Sequence, residues 1–257
     1  MCSRYSPYPS GRLDRHARRR RRRRTPYPRG PSRALVRVHG GQAPGGRRTR
    51  GAHRAPALAL PGLSPALPDR EIVPGELLPL PGRRLRAVWT PGHTPGHVCL
   101  HLEEEHPARL PGRGRLFSGD HLLPGITPHI GLYKDPEDTT VTDPLGDYLD
   151  SLERVARLDP AEVLPAHQHA FTDAPARVRE LPAHHEARLT GLLALLGTPL
   201  TPWQLAERMD WNRPWPEIPP ASRNIAVSEA EAHLRRLVKP GRAEPVAGSE
   251  PVTYVAV

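Results

Sequence analysis

The sequence has only two cysteines, Cys2 and Cys99, too few for a disulfide framework. Cys99 lies in an apolar run, Val98-Cys99-Leu100, and reads as a small buried hydrophobe rather than a redox group. This cysteine usage predicts a reducing, cytoplasmic setting. No apolar run approaches the roughly 20 residues that a membrane-spanning helix needs, so no membrane partner is expected. The run Arg18–Arg24 is not followed by the apolar stretch of an export signal.

Acid is nearly absent from the first part of the chain. Residues 1–54 carry 17 arginines against a single acid, Asp14, whereas residues 55–257 carry 26 acids against 20 basic side chains. The net charge of +10 therefore belongs to the N-terminal stretch, and an argument from charge to a nucleic-acid partner applies only there. Residues 1–68 are also rich in Pro and Gly and show no sustained period of 2 or 3.6. Such a segment buries too little apolar surface to offset chain entropy, so disorder is its expected state.

From about Glu71 the pattern changes. Leu85–Trp89 reads as a strand, Thr90–Gly96 as a Pro/Gly loop, and His97–Leu102 as a second strand with Val98, Leu100 and Leu102 on one face. Arg115–Ser118 and Glu162–Leu164 are further short strands. Asp143-Pro144 is a helix start, followed by an apolar face at Leu145, Tyr148, Leu149, Leu152, Val155 and Ala156. Asp173 caps a second helix to about Leu196, with a kink or break expected at Pro182. A short helix from Thr201-Pro202 to Met209, a longer one over about Ser222–Val238 and two β-prone pieces around Gly248 follow. Helix, helix and hairpin in that order suggest a winged-helix-like domain over 198–257.

Three motifs end predicted strands: Thr90-Pro91-Gly92-His93-Thr94-Pro95-Gly96-His97, Phe117-Ser118-Gly119-Asp120 and Leu164-Pro165-Ala166-His167. Imidazole and carboxylate are usual zinc ligands, and loops at strand ends can bring distant residues together. In this order and at these spacings the motifs resemble the metallo-β-lactamase superfamily, in particular the glyoxalase-II-like hydrolases that end in a winged helix. The resemblance covers about 71–257 and is most specific from Trp89 to Leu196. It implies an α+β fold, part of an αββα sandwich over 69–197. It implies that His93 binds a first metal, that Asp120 bridges two metals and that His167 binds the second, with His97 a structural histidine beside them. His121, His129, His169, His184 and His185 are expected at the surface or behind the ligands.

The resemblance also exposes an absence. The family carries His-x-His-x-Asp-His upstream, and this chain has no such motif. Its upstream histidines, His16, His39 and His53, lack the spacing. Each of the two expected zinc ions then keeps two ligands, where catalytic zinc usually has three plus water, and no catalytic residue is assigned. Read one nucleotide ahead, with CGN for Arg29 and TCN for Ser32, the codons of Pro26–Ser32 can encode His-Thr/Ile-His-x-Asp-His. The same shift turns the Arg run into codons open to Val or Ala, as the preceding strand requires.

The resemblance implies a metal-dependent hydrolase in which a metal-bound hydroxide attacks an ester, thioester or phosphodiester of a small molecule, impaired here by the absent motif. Two other readings stay open: an inactive pseudoenzyme, and a nucleic-acid-binding protein using the Arg run and the winged helix. The helix of that module carries Arg223, Arg235, Arg236 and Lys239 but also Glu229 and Glu231, so its face is of mixed sign.

Overall fold

Four short strands make one sheet in a computed structural model of the chain, which describes residues 70–105, 108–110, 112–132 and 142–257. The stretch 1–68, with its expected disorder and its shifted-frame motif, lies outside the described residues. The strands are β1 (Leu85–Trp89), β2 (Val98–Leu102), β3 (Arg115–Gly119) and β4 (Glu162–Pro165), in that spatial order. β1 pairs with β2 and β2 with β3 antiparallel, while β3 and β4 run parallel. The parallel pair needs a crossover, and helix α1 (Pro144–Leu158) lies within it.

The two faces of the sheet differ. Cys99 on β2, Leu116 on β3 and Val163 on β4 are buried in a core with Leu145, Tyr148, Leu152 and Val155 of α1 and Val178, Leu181, Leu189 and Leu192 of α2 (Ala174–Leu195). The opposite face is covered more thinly. Ile72, Leu78 and Ala87 form a small cluster there with Leu85, Val98 and Leu100 at its edge, and Phe117 is 43% exposed. One sheet with one helical layer corresponds to half of the expected αββα sandwich.

Both Asp-Pro helix starts behave as their chemistry dictates. Asp143 accepts from Gly146 N at 2.9 Å and Asp173 from Ala176 N at 3.1 Å, each satisfying an amide that the first turn leaves free. On α1 the inward positions are Leu145, Tyr148, Ser151, Leu152 and Val155, with Ala156 exposed. Ser151 takes a core place because its hydroxyl reaches the Pro91 carbonyl at 2.8 Å and the Asp147 carbonyl at 2.7 Å. The break expected at Pro182 does not occur. α2 runs through it, because Val178, Leu181 and His185 around it are buried against the rest of the core and that packing outweighs one missing hydrogen bond.

The C-terminal part follows as α3 (Pro202–Arg208), a 3-10 turn at Trp215–Glu217, α4 (Pro220–Val238), β5 (Ala243–Pro245) and β6 (Tyr254–Ala256), the last two antiparallel. Thr201 and Gln204 form a reciprocal capping box at the start of α3. α4 begins two residues earlier than its sequence suggests, since Pro219 and Pro220 occupy positions where no amide donor is missed. Leu234 and Leu237 of α4 share the main core with α1 and α2. None of the described helices is long and apolar enough to cross a membrane.

Candidate metal centre

Each of the three expected ligands sits just beyond a strand at the same end of the sheet. The loop after β1 brings His93, the turn after β3 brings Asp120, and the segment after β4 brings His167. They meet around one carboxylate. His93 Nε2 stands 3.7 Å from Asp120 Oδ2, and His167 Nε2 stands 3.1 Å from Asp120 Oδ1. Each imidazole thus faces a different oxygen of the same group. Among the described residues no three His, Cys, Asp or Glu side chains are gathered about a single point fit to hold an ion. The arrangement is a row of three side chains with Asp120 in the middle.

The loop geometry has local causes. Gly92 has φ +139°, and a Cβ there would collide with Tyr148 Cβ on α1. Only glycine lets the His93 loop lie directly on that helix. Ser151 of α1 and Arg154, which donates to the Trp89 carbonyl at 3.2 Å, hold the same loop from below. His93 Nδ1 lies 2.8 Å from the His129 carbonyl. A carbonyl only accepts, so Nδ1 carries a proton, and in the neutral ring the lone pair lies on Nε2, the nitrogen that faces Asp120.

His97 lies behind the trio. Its ring is edge-on to His93, with centroids 6.1 Å apart, and Nδ1 is 2.8 Å from Thr90 Oγ1. The Thr90 hydroxyl points on to Cys99 Sγ at 3.3 Å, so His97 Nδ1 is the donor in that pair. Burial, and then the His93 imidazole beside it, push its pKa down to about 4, which keeps the ring neutral. Gly119 (φ +54°) closes the turn before Asp120, and a Cβ there would stand 2.8 Å from His97 Nε2. The glycine of Ser-Gly-Asp is therefore required both by its backbone and by the ring beneath it. Ser118 fixes the other side of the turn, donating to the Leu122 carbonyl at 2.8 Å.

The remaining histidines divide in a way the sequence did not reveal. His121 is fully buried, packed between His97 and Tyr148, and burial pushes its pKa down to about 3. His185 is buried too, away from the surface and from the ligands, with Nδ1 3.1 Å from His233 Nε2. His129 makes a direct bond to an expected ligand, through its carbonyl. The basic side chains of α4 have partners in the chain, Arg236 and Lys239 at the surface. Arg235 pairs with Glu231, Arg236 and Lys239 reach Asp143, and Arg223 lies over Trp215.

Comparison with known proteins adds the lineage. The family model of the metallo-beta-lactamase superfamily matches residues 22–167. A lactamase-like protein, nscB, of Aspergillus fumigatus is 33% identical over 132 residues, 51% of this chain and 34% of that protein. Another, adaB of Aspergillus niger, is 35% identical over 133 residues, 52% of this chain and 36% of its own length. A metallo-beta-lactamase family protein from Thermus thermophilus superposes with a TM-score of 0.60 at 36% identity, covering 76% of this chain and 55% of that one. A beta-lactamase domain protein from Burkholderia ambifaria gives 0.63 at 29%, covering 75% and 54%. The chain thus spans about a third of the length of these curated relatives and about half of these solved structures.

Proposed function

The chain belongs to the metallo-beta-lactamase superfamily, and from that premise we propose that His93, Asp120 and His167 are the remaining ligands of a two-metal hydrolase centre. The observation that carries this reading is the shared carboxylate, with one imidazole nitrogen facing each of its oxygens. The donor set fits zinc, whose protein ligands are imidazole nitrogen, thiolate and carboxylate oxygen. His93 would hold one ion, His167 the other, and Asp120 both. When bound, such ions polarise an electrophile and acidify water.

The chain's own residues prepare the site for that role. The His129 carbonyl keeps the His93 lone pair on Nε2. His97, neutral and braced by Thr90, supports the Asp120 turn without competing for metal. The substrate class this chemistry suits is a small ester, thioester or phosphodiester. With two protein ligands for each ion, the centre should bind zinc weakly and turn over slowly, which keeps the pseudoenzyme reading next to the active one. The pairing of Arg235, Arg236 and Lys239 with carboxylates of the chain favours hydrolase ancestry over nucleic-acid binding for that helix. We read 69–197 as the hydrolase part of the chain. The order of α3, α4 and the β5–β6 pair supports reading 198–257 as winged-helix-like.

Cobalt titration tests the centre, since a tetrahedral or five-coordinate Co2+ ion absorbs visibly. The expected result is a saturable visible band that Asp120→Asn abolishes and that His93→Ala and His167→Ala each reduce. A band unchanged in Asp120→Asn would overturn the assignment.

A further inference from the structure

His93 is steadied from a distance by the C-terminal helix. Its Nδ1 proton goes to the carbonyl of His129, 36 residues away, and His129 sits in a loop (123–132) that belongs to no strand or helix. Helix α4 grips that loop at two points. Glu229 Oε2 accepts from His129 Nδ1 at 3.2 Å, and Ser228 Oγ accepts from the Leu132 amide at 2.8 Å. Glu229 is itself held from behind, because its other oxygen, Oε1, lies 3.4 Å from the Arg188 guanidinium. Arg188 has little freedom, since it donates to the Asp210 carbonyl at 3.0 Å and lies over Trp211 at 4.7 Å. Both carboxylate oxygens are thus committed, and the side chain is only 15% exposed.

We propose that Glu229 is a positioning residue for the metal centre: through His129 it holds the carbonyl that fixes His93 with its proton on Nδ1 and its lone pair on Nε2. The inference rests on reading His93 as a ligand. Its physical basis is the rule that a ligating imidazole needs an acceptor on its other nitrogen to set tautomer and orientation, with outer partners worth about 10–100-fold in metal affinity. Here the acceptor is a loop carbonyl, which is useful only if the loop stays in place. Glu229 and Ser228 supply that restraint from a part of the chain 100 residues away from His129 in the case of Glu229.

The test reads the tautomer directly. In the full chain labelled with 15N-histidine, long-range proton–nitrogen spectra at alkaline pH and without metal should show His93 as the Nδ1–H form. Glu229→Ala and His129→Ala should both move it toward the Nε2–H form that predominates in unconstrained imidazole. Glu229→Gln keeps an oxygen acceptor for His129 Nδ1 but turns its NH2 toward the Arg188 guanidinium, so it should restore the wild-type pattern in part, beyond either alanine variant. His129→Ala leaves the carbonyl and the Glu229–Arg188 pair in place, so it decides the matter even if Glu229→Ala fails to fold. Zinc affinity, read by competition with a chromophoric chelator, should fall about 10-fold in the two alanine variants and by less in the glutamine one. A purely structural role would lower the melting temperature and leave the tautomer alone. His93 remaining Nδ1–H in both alanine variants, or not being so in the wild type, overturns the proposal. A tautomer that shifts as described in a chain that binds no zinc supports the relay while sinking the metal reading. Zinc bound through Asp120 with neither tautomer nor affinity altered in the variants does the reverse.

Discussion

Gly119 carries two constraints at once: a left-handed backbone, φ +54°, and a ring nitrogen 2.8 Å from where a side chain would begin. Gly119→Ala should therefore cost about 1–3 kcal/mol from the backbone alone, with more from displacing His97, and equilibrium urea unfolding measures it. An unchanged denaturation midpoint would mean the turn relaxes freely and does not place Asp120. The motif residues were legible in the sequence because each ends a strand, and strands at one sheet end bring their loops together. What stood behind them was not. His129 gave no signal beyond being a histidine, and Glu229 looked like one acid on a helix of mixed charge. Their contact joins residues 100 positions apart, and no local pattern encodes it.

At the scale of elements, strands β1 to β4 were readable to within a residue or two, since short apolar runs bounded by Pro/Gly loops act locally. Two helix starts were readable because Asp-Pro combines a side-chain acceptor with a residue that lacks the amide. Asp143 also does what a cap alone does not. Its Oδ2 receives Arg236 at 2.9 Å and Lys239 at 3.4 Å, tying α1 to α4. Asp143→Ala should destabilise the fold by about 1–3 kcal/mol, the cap contributing about 1 of it. Asp143→Asn, which keeps the cap and loses the charge, should lie in between. If Asp143→Asn melts with the wild type, the charged link between the helices contributes nothing, and the gap between the two variants measures the cap alone.

The packing of α2 against α4 makes a second prediction at this scale. Burial, followed by the charges of His233, His184 and Arg188, pushes His185 down to about 2 from an ordinary 6.5. His233, nearby on α4, is also lowered, chiefly by burial. The unfolded chain then binds protons that the folded chain refuses. The stability these rings contribute is complete above about 6.5 and declines as pH falls below it, by about 1.4 kcal/mol per pH unit for each buried neutral ring. Melting temperature followed downward from neutral pH should fall, and His185→Phe should fall less steeply. Parallel curves for the two proteins would show that this imidazole does not set the acid response.

At the scale of the whole molecule, the described fold is a half whose inner sheet face is thinly covered, with Phe117 43% exposed on it, and the centre proposed above would have two protein ligands for each ion. Both deficits point to the same region. The family match reaches back to residue 22, so it spans the stretch in which a His-x-His-x-Asp-His segment is expected, yet the chain as written has none there. A single-nucleotide advance through Pro26–Ser32, with CGN for Arg29 and TCN for Ser32, gives codons that can encode four of those residue types in order, and it leaves the preceding Arg codons open to Val or Ala. A second sheet and the missing ligands would then arise from the same change. The decisive measurement is the nucleotide sequence across codons 10–75 together with mass spectrometry of the native N-terminal peptides. Peptides of the advanced frame should carry His-Thr/Ile-His-x-Asp-His, and protein expressed from that frame should hold two zinc ions per chain. If the native peptides instead carry the Arg run, the centre stops at His93, Asp120 and His167, zinc binding stays weak, and the chain is an inactive member of its superfamily.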